Sequence, residues 1–447
     1  MSAEPEYYCR SPEGGLRGSM SVPGDKSISH RALLLGSLAR GQTKVTGLLE
    51  AEDVKATGVA MQALGSELVS EDDHLCVLGT DECPLSAPVQ PLDMGNSGTG
   101  IRLLTGLLAG QGLGATLTGD VSLRSRPMGR IIRPLTLMGV DIRAADGGRA
   151  PLEILPSRRL RALRYEMPVA SAQLKSCLLL AGLGADGPIE LLEPAPSRDH
   201  TESMLRAYGV TLASEEVTGQ RWLRMEGGQA LTGPQSIHVP GDFSSAAFFL
   251  VAGSIRPESD LTLTNVGINP MRTGLLDLLR EMGASIEVLD PRESGGEPVA
   301  DLRVRTATLR GVDVDPRLVP LMIDEFPVAF IAAAVSEGVT RVRGAEELRV
   351  KESDRLAVMA EGLRTLGVAV TEREDGIDIV GRDTLGGGTV HGQHDHRCAM
   401  SFAVASLRAE APVTVQSVAN VATSFPDFRA SLNALGGHIE EREAPTS

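Results

Sequence analysis

Residues 25–41 read DKSISHRALLLGSLARG: a small polar cluster, then an apolar run that ends at a glycine. A phosphate loop would need glycines one and six places before the lysine. Asp25 and Met20 stand there instead. The polar cluster ahead of an apolar run therefore marks a helix start, and the same arrangement recurs five times: NSGTGIRLLTGLLAG, SAQLKSCLLLAGLGADG, DFSSAAFFLVAGS, DEFPVAFIAAAVSEG and DHRCAMSFAVASL. With Lys26, Asn96, Ser171, Asp242, Asp324 and Asp395 as markers, the spacings are 70, 75, 71, 82 and 71. A second series ends in an apolar residue and Gly: MQALG, PLTLMG, MLRAYG, LLREMG, GLRTLG and LNALG. Its glycines at 65, 139, 209, 283, 367 and 436 are spaced 74, 70, 74, 84 and 69. Both series lengthen at the fourth step, so the chain reads as six copies of one unit.

Between the two helices of a unit lies a short alternating segment, such as TKVT (43–46), IELL (189–192), LTLT (261–264) and VTVQ (413–416), with the period of a half-buried strand. The first helix is apolar nearly all round, as at Val328 to Val335, and is expected to be buried. The second is amphipathic, with Leu275, Leu278, Leu279 and Met282 at helical spacing. An α/β fold of six helix-strand repeats follows. Helix N-termini carry partial positive charge and unpaired amides, so the polar clusters at these starts are expected to hold an anion.

At 447 residues the chain is long enough for two or three domains of about 150 residues each. Its 50 glycines and 3% aromatics suggest many tight turns and an aliphatic core, and its net charge of −15 argues against a nucleic-acid partner. The N-terminus lacks a signal or transit pattern and no run of about 18 apolar residues occurs, so a cytoplasmic protein without a membrane partner is expected. Five scattered cysteines (Cys9, Cys76, Cys83, Cys177, Cys398) suit reduced thiols. No metal-ligand spacing was read, either from Cys76 and Cys83 or from HGQHDHR at 391–397.

The ordered motifs PGDKSISHRALLL, GNSGTGIRLL, SRPMGR, ASAQLKS, GDFSSAA, RVKESDRL, DHRCAMSFA and TSFPDF strongly resemble the 5-enolpyruvylshikimate-3-phosphate (EPSP) synthase family, from about residue 15 to 436. The resemblance implies a two-domain inside-out α/β barrel with three repeats per domain. One domain would span 23–239, and the other 1–22 plus 240–447. It also implies transfer of the enolpyruvyl group of phosphoenolpyruvate to the 5-hydroxyl of shikimate 3-phosphate, in the shikimate pathway of aromatic amino acid biosynthesis. No metal or organic cofactor is implied, and a monomer is expected.

By the same resemblance, Lys26 touches both substrates and shares in proton transfer, Asp324 accepts the 5-hydroxyl proton and Glu352 is its acid/base partner. Ser27, Arg31, Ser171, Gln173, Arg198 and Lys351, with Lys26 and Asp324, match the shikimate 3-phosphate set. Asn96, Gly98, Arg126, Gln173, Arg355 and Arg397, with Lys26, match the phosphoenolpyruvate set, and Thr99 belongs to the same loop. Ala172 stands where one branch has a second Ser, and Arg198 in SRDH supplies the missing contact in the branch this chain follows. Thr423 and Ser424 stand where one branch has Lys, which implies altered inhibitor contacts. His30 reads as structural and Arg124 as solvated. Pooling these cations is expected to cost stability until two polyanions bind, so a mobile cleft that closes on substrate is expected. Gly98 bears on glyphosate, which occupies the phosphoenolpyruvate space: the chain is expected to be sensitive and Gly98→Ala less so. A UDP-N-acetylglucosamine enolpyruvyl transferase would usually carry a reactive Cys, and none lies in 110–125. A non-catalytic helix-strand scaffold would not need Lys, Arg, Asp and Glu at its helix starts.

Overall fold

The computed structural model describes residues 4–157, 159–218 and 220–443. They fall into two compact units. One holds Gly24–Val239 and Ser294–Glu297; the other holds the described residues up to Pro23, Pro240–Glu293 and those from Pro298 on. A separate hydrophobic core runs through each.

Three apolar helices form the centre of the first unit: Lys26–Leu38, Gly98–Gln111 and Ala172–Gly182. The second and third approach closely because a Cβ at Gly106 would lie 2.2 Å from the Cys177 carbonyl oxygen. In the other unit the same place is taken by Phe243–Ile255, Phe326–Ala334 and His396–Ala405. Every residue of these three helices is buried. Phe249 packs there against Phe425 and Phe428, with ring centroids 5.9 and 6.0 Å away. Its truncation to Ala would remove about 3–5 kcal/mol of stability.

Polar residues start these helices for a local reason. Asp25, Ser97, Ser171, Asp242 and Asp395 each accept a hydrogen bond from a first-turn amide. The sixth start, Glu325, lacks such a bond and is followed by a proline in the first turn. The six glycines of the second series share one conformation, with φ between +82° and +107°. That left-handed region lets the chain leave a helix without a Cβ clash, so a glycine at each copy is a backbone requirement.

Among the described residues, six open sheets cover the helices, three per unit. In the first, Ser236–His238 pairs parallel to Gln42–Thr46, which pairs antiparallel with His74–Leu78, itself antiparallel to Leu68–Glu71. Four further sheets have four strands, and the one built on Val339–Val342 has three. No sheet closes into a barrel among the described residues. The alternating segments 43–46, 189–192, 261–264 and 413–416 are all strands. Most hairpins that follow the second helix, such as Leu68–Glu71 with His74–Leu78, have no counterpart in the sequence reading. Their exposed faces carry charges that blur the alternation. No helix among the described residues is long and apolar enough to cross a membrane.

Candidate active site

In the unit containing Gly24–Val239, Lys26 opens its helix and its Nζ lies 2.9 Å from Asp53 Oδ2. Asp53 sits in the first turn of Glu52–Ala63. Behind it, His30 Nδ1 meets Thr57 Oγ1 at 2.8 Å. Burial, reinforced by Lys26 and Arg31, holds His30 well below the usual imidazole value, so its ring is neutral. Arg31 is buried and donates from Nε to Thr201 Oγ1 (2.6 Å), from Nη1 to the Ser27 carbonyl (2.7 Å) and from Nη2 to Ser176 Oγ (2.7 Å). Ser176 and Thr201 hydroxyls are 2.6 Å apart. Arg198 is half-buried just ahead of the helix His200–Ala207, and Arg124 is exposed.

The helix holding Ser176 is tied to the segment holding Arg198 by a sealed ionic cluster. Lys175 Nζ lies 2.9 Å from Glu193 Oε2, 2.7 Å from Glu202 Oε1 and 3.2 Å from the Ser197 carbonyl. Ser197 also donates its hydroxyl to Glu193. Burial raises the Glu193 carboxyl, and Lys175 opposes that rise.

A second network in the same unit joins the residues matched to phosphoenolpyruvate. Arg126 Nη2 donates to Asn96 Oδ1 at 2.5 Å, and Asn96 Nδ2 donates to Asp120 Oδ2 at 2.7 Å. Gln173 Nε2 donates to Thr99 Oγ1 at 2.9 Å, while its Oε1 accepts from Arg102 Nη1 at 2.7 Å. A Cβ at Gly98 would lie 2.8 Å from Arg126 Nη1 and 3.2 Å from Arg102 Nη1. Arg130 Nη1 is 3.5 Å from Ser171 Oγ.

In the other unit the hub is Arg355, fully buried at the start of Arg355–Thr365. Its Nε donates to Asp395 Oδ2 at 2.8 Å, Nη1 to Asp324 Oδ1 at 3.2 Å and Nη2 to Glu352 Oε2 at 2.5 Å. Burial works against its charge, but Asp395, Glu352 and Asp324 outweigh it and hold the guanidinium well above its usual value. Arg397 Nη1 donates to the Asp324 carbonyl at 3.3 Å and lies 3.9 Å from Glu325 Oε1. Glu325 accepts from Ser244, whose oxygen also accepts from Arg272 at 2.9 Å. Lys351 Nζ is 3.6 Å from Glu347 Oε1. Burial, partly offset by Asp324, Glu347 and Glu352, lowers its ammonium below the usual lysine value.

At five of the six helix starts the capping side chain engages one first-turn amide. Within their own units, Asp53, Asp395, Glu325 and Glu347 accompany Lys26, Arg355, Arg397 and Lys351, which lowers the cost of burying each cation. Sequence reasoning gave no role to Asp53, Arg102, Arg130, Arg272 or Glu325, and treated Asp395 only as a repeat marker. Its position one residue ahead of HR, at a helix start, was the available signal for Asp395.

Solved structures share this fold. The enolpyruvyl transferase NikO from Streptomyces tendae superposes with a TM-score of 0.79 over 99% of this chain and 100% of its own, at 19% identity. The two chains therefore share a fold. An EPSP synthase from Acinetobacter baumannii superposes with a TM-score of 0.86 at 44% identity, over 98% of this chain and 100% of that one. The 3-phosphoshikimate 1-carboxyvinyltransferase of Halorhodospira halophila is 55% identical over 98% of both chains, and that of Methylococcus capsulatus 52% over 97% of this chain and 98% of its own. Residues 11–432 match the family described as EPSP synthase (3-phosphoshikimate 1-carboxyvinyltransferase), and the chain belongs to that family.

Proposed function

We propose that this chain's reaction, transfer of the enolpyruvyl group of phosphoenolpyruvate to the 5-hydroxyl of shikimate 3-phosphate in the shikimate pathway, proceeds by addition and elimination. The hydroxyl oxygen bonds to C2 of phosphoenolpyruvate, its proton passes to Asp324, and a proton joins the methylene carbon C3. Loss of a C3 proton with cleavage of the C2–O bond then frees inorganic phosphate and leaves the enol ether. Lys26 and Glu352 serve the proton at C3. Ser27, Arg31, Ser171, Gln173, Arg198 and Lys351 bind shikimate 3-phosphate; Asn96, Gly98, Arg126, Gln173, Arg355 and Arg397 bind phosphoenolpyruvate.

The observation that carries this assignment is the cradle of three carboxylates around Arg355. Asp395 is sealed, whereas Asp324 and Glu352 keep 18% and 22% of their side chains exposed and can meet a substrate. Arg355 holds both carboxylates in place by its Nη1 and Nη2 contacts, as a positioned base and acid/base partner require. A domain of 23–239 and one of 1–22 plus 240–447, with three repeats each, form the scaffold; six sheets and six left-handed glycines support that count. Phosphate release on adding both substrates tests the activity. Release with UDP-N-acetylglucosamine but not shikimate 3-phosphate would overturn it.

A further inference from the structure

The hairpin Leu68–Glu71 and His74–Leu78 carries a cluster outside the transferase site. Its register pairs Glu71 with His74 and Val69 with Cys76. Side chains alternate along a strand, so Glu71, His74 and Cys76 share one face. His74 Nε2 lies 2.9 Å from Glu71 Oε2, and Cys76 Sγ lies 3.8 Å from Glu71 Oε1. All three donor atoms fall within 4.8 Å of one another. Tetrahedral zinc, with bonds of about 2.0–2.3 Å to N, O and S, sets its donors roughly 3.3–3.6 Å apart. The 2.9 Å contact is made by Glu71 Oε2 and the 3.8 Å contact by its Oε1, one just below that range and one just above it.

One neighbour favours a metal. Asp73 Oδ1 is 2.6 Å from His74 Nδ1. A carboxylate there orients the ring and holds the Nδ1 proton, so that Nε2 can ligate once it has given up its own proton. Cys76 is buried and Glu71 is exposed, so a fourth position faces solvent.

We propose that Glu71, His74 and Cys76 bind one thiophilic divalent cation of the Zn2+ type. On binding, the Cys76 thiol and the His74 Nε2–H each give a proton to solvent, and the His74–Glu71 hydrogen bond is replaced by two metal bonds. One thiolate and one carboxylate balance the cation's charge. Mg2+ and Ca2+ are excluded by their demand for six or more oxygen ligands. The motif EDDHLC at 71–76 escaped the sequence reading because each ligand type occurs once and the hairpin supplies the spacing.

Titrating the metal-stripped full chain with Co2+ tests this. One equivalent should give a thiolate-to-cobalt charge-transfer band with visible bands of tetrahedral intensity, displaced by Zn2+. Cys76→Ser and His74→Gln should each abolish the bands, while Cys83→Ser keeps them and all three variants keep wild-type turnover. Absence of a thiolate band at equimolar metal, or its survival in Cys76→Ser or His74→Gln, would overturn the assignment.

Discussion

Lys175 and Arg355 are both cations with no exposed side-chain surface, each held by more than one carboxylate, yet their partners differ. Glu193 and Glu202 around Lys175 are completely sealed. Around Arg355 only Asp395 is sealed, and Asp324 and Glu352 reach solvent. A buried ion pair therefore says little about function by itself. The exposure of its carboxylates separates a cluster that locks helices together from one that presents acid and base to a ligand.

The sharpest way to break this contrast is to neutralise one carboxylate on the open side. Asp324→Asn should lower kcat by ~10²–10⁴-fold with little change in stability, measured by phosphate release and urea unfolding. On the sealed side Lys175→Met removes the cation from Glu193 and leaves Glu202 only Arg221 Nη1 at 3.7 Å, and should cost about 3–5 kcal/mol of stability. Adding Glu193→Gln and Glu202→Gln should recover part of that loss. A stable Lys175→Met that loses kcat would erase the distinction.

His30 extends the comparison to pH. Its folded-state value lies well below that of the unfolded chain, so stability is full above the ordinary imidazole range and falls as pH drops beneath it. The slope from this one group is about 1.4 kcal/mol per pH unit, and His30→Gln should remove that slope from urea midpoints measured between neutral and mildly acid pH. Lys351 belongs to the open side. Its lowered value means the ammonium is lost before the ordinary lysine range is reached, so shikimate 3-phosphate affinity should weaken there as pH rises. Lys351→Arg should move that limb upward in a KM-versus-pH series.

The smallest effect is expected at Gly98→Ala. The new methyl meets the guanidinium ends of Arg126 and Arg102 and no backbone atom, so accommodation should cost about 1 kcal/mol. A several-fold rise in KM for phosphoenolpyruvate, with weaker glyphosate inhibition and an unchanged KM for shikimate 3-phosphate, is the expected readout. Equal inhibition constants would overturn it.

What the sequence determined by itself is whatever depends on neighbouring residues. A capping side chain bonds an amide two or three places on, and a left-handed turn needs glycine where it occurs, so six helix starts and six helix ends could be read along the chain. The family motifs likewise lie within short stretches, so the residues proposed to bind substrate could be named along the chain. Only the tertiary structure decided which carboxylate meets which cation. Lys26 with Asp53, Arg355 with Asp395 and Lys175 with Glu193 join residues far apart in sequence. Such pairs are selected by how helices and sheets pack, and charge attraction leaves no periodic trace along the chain.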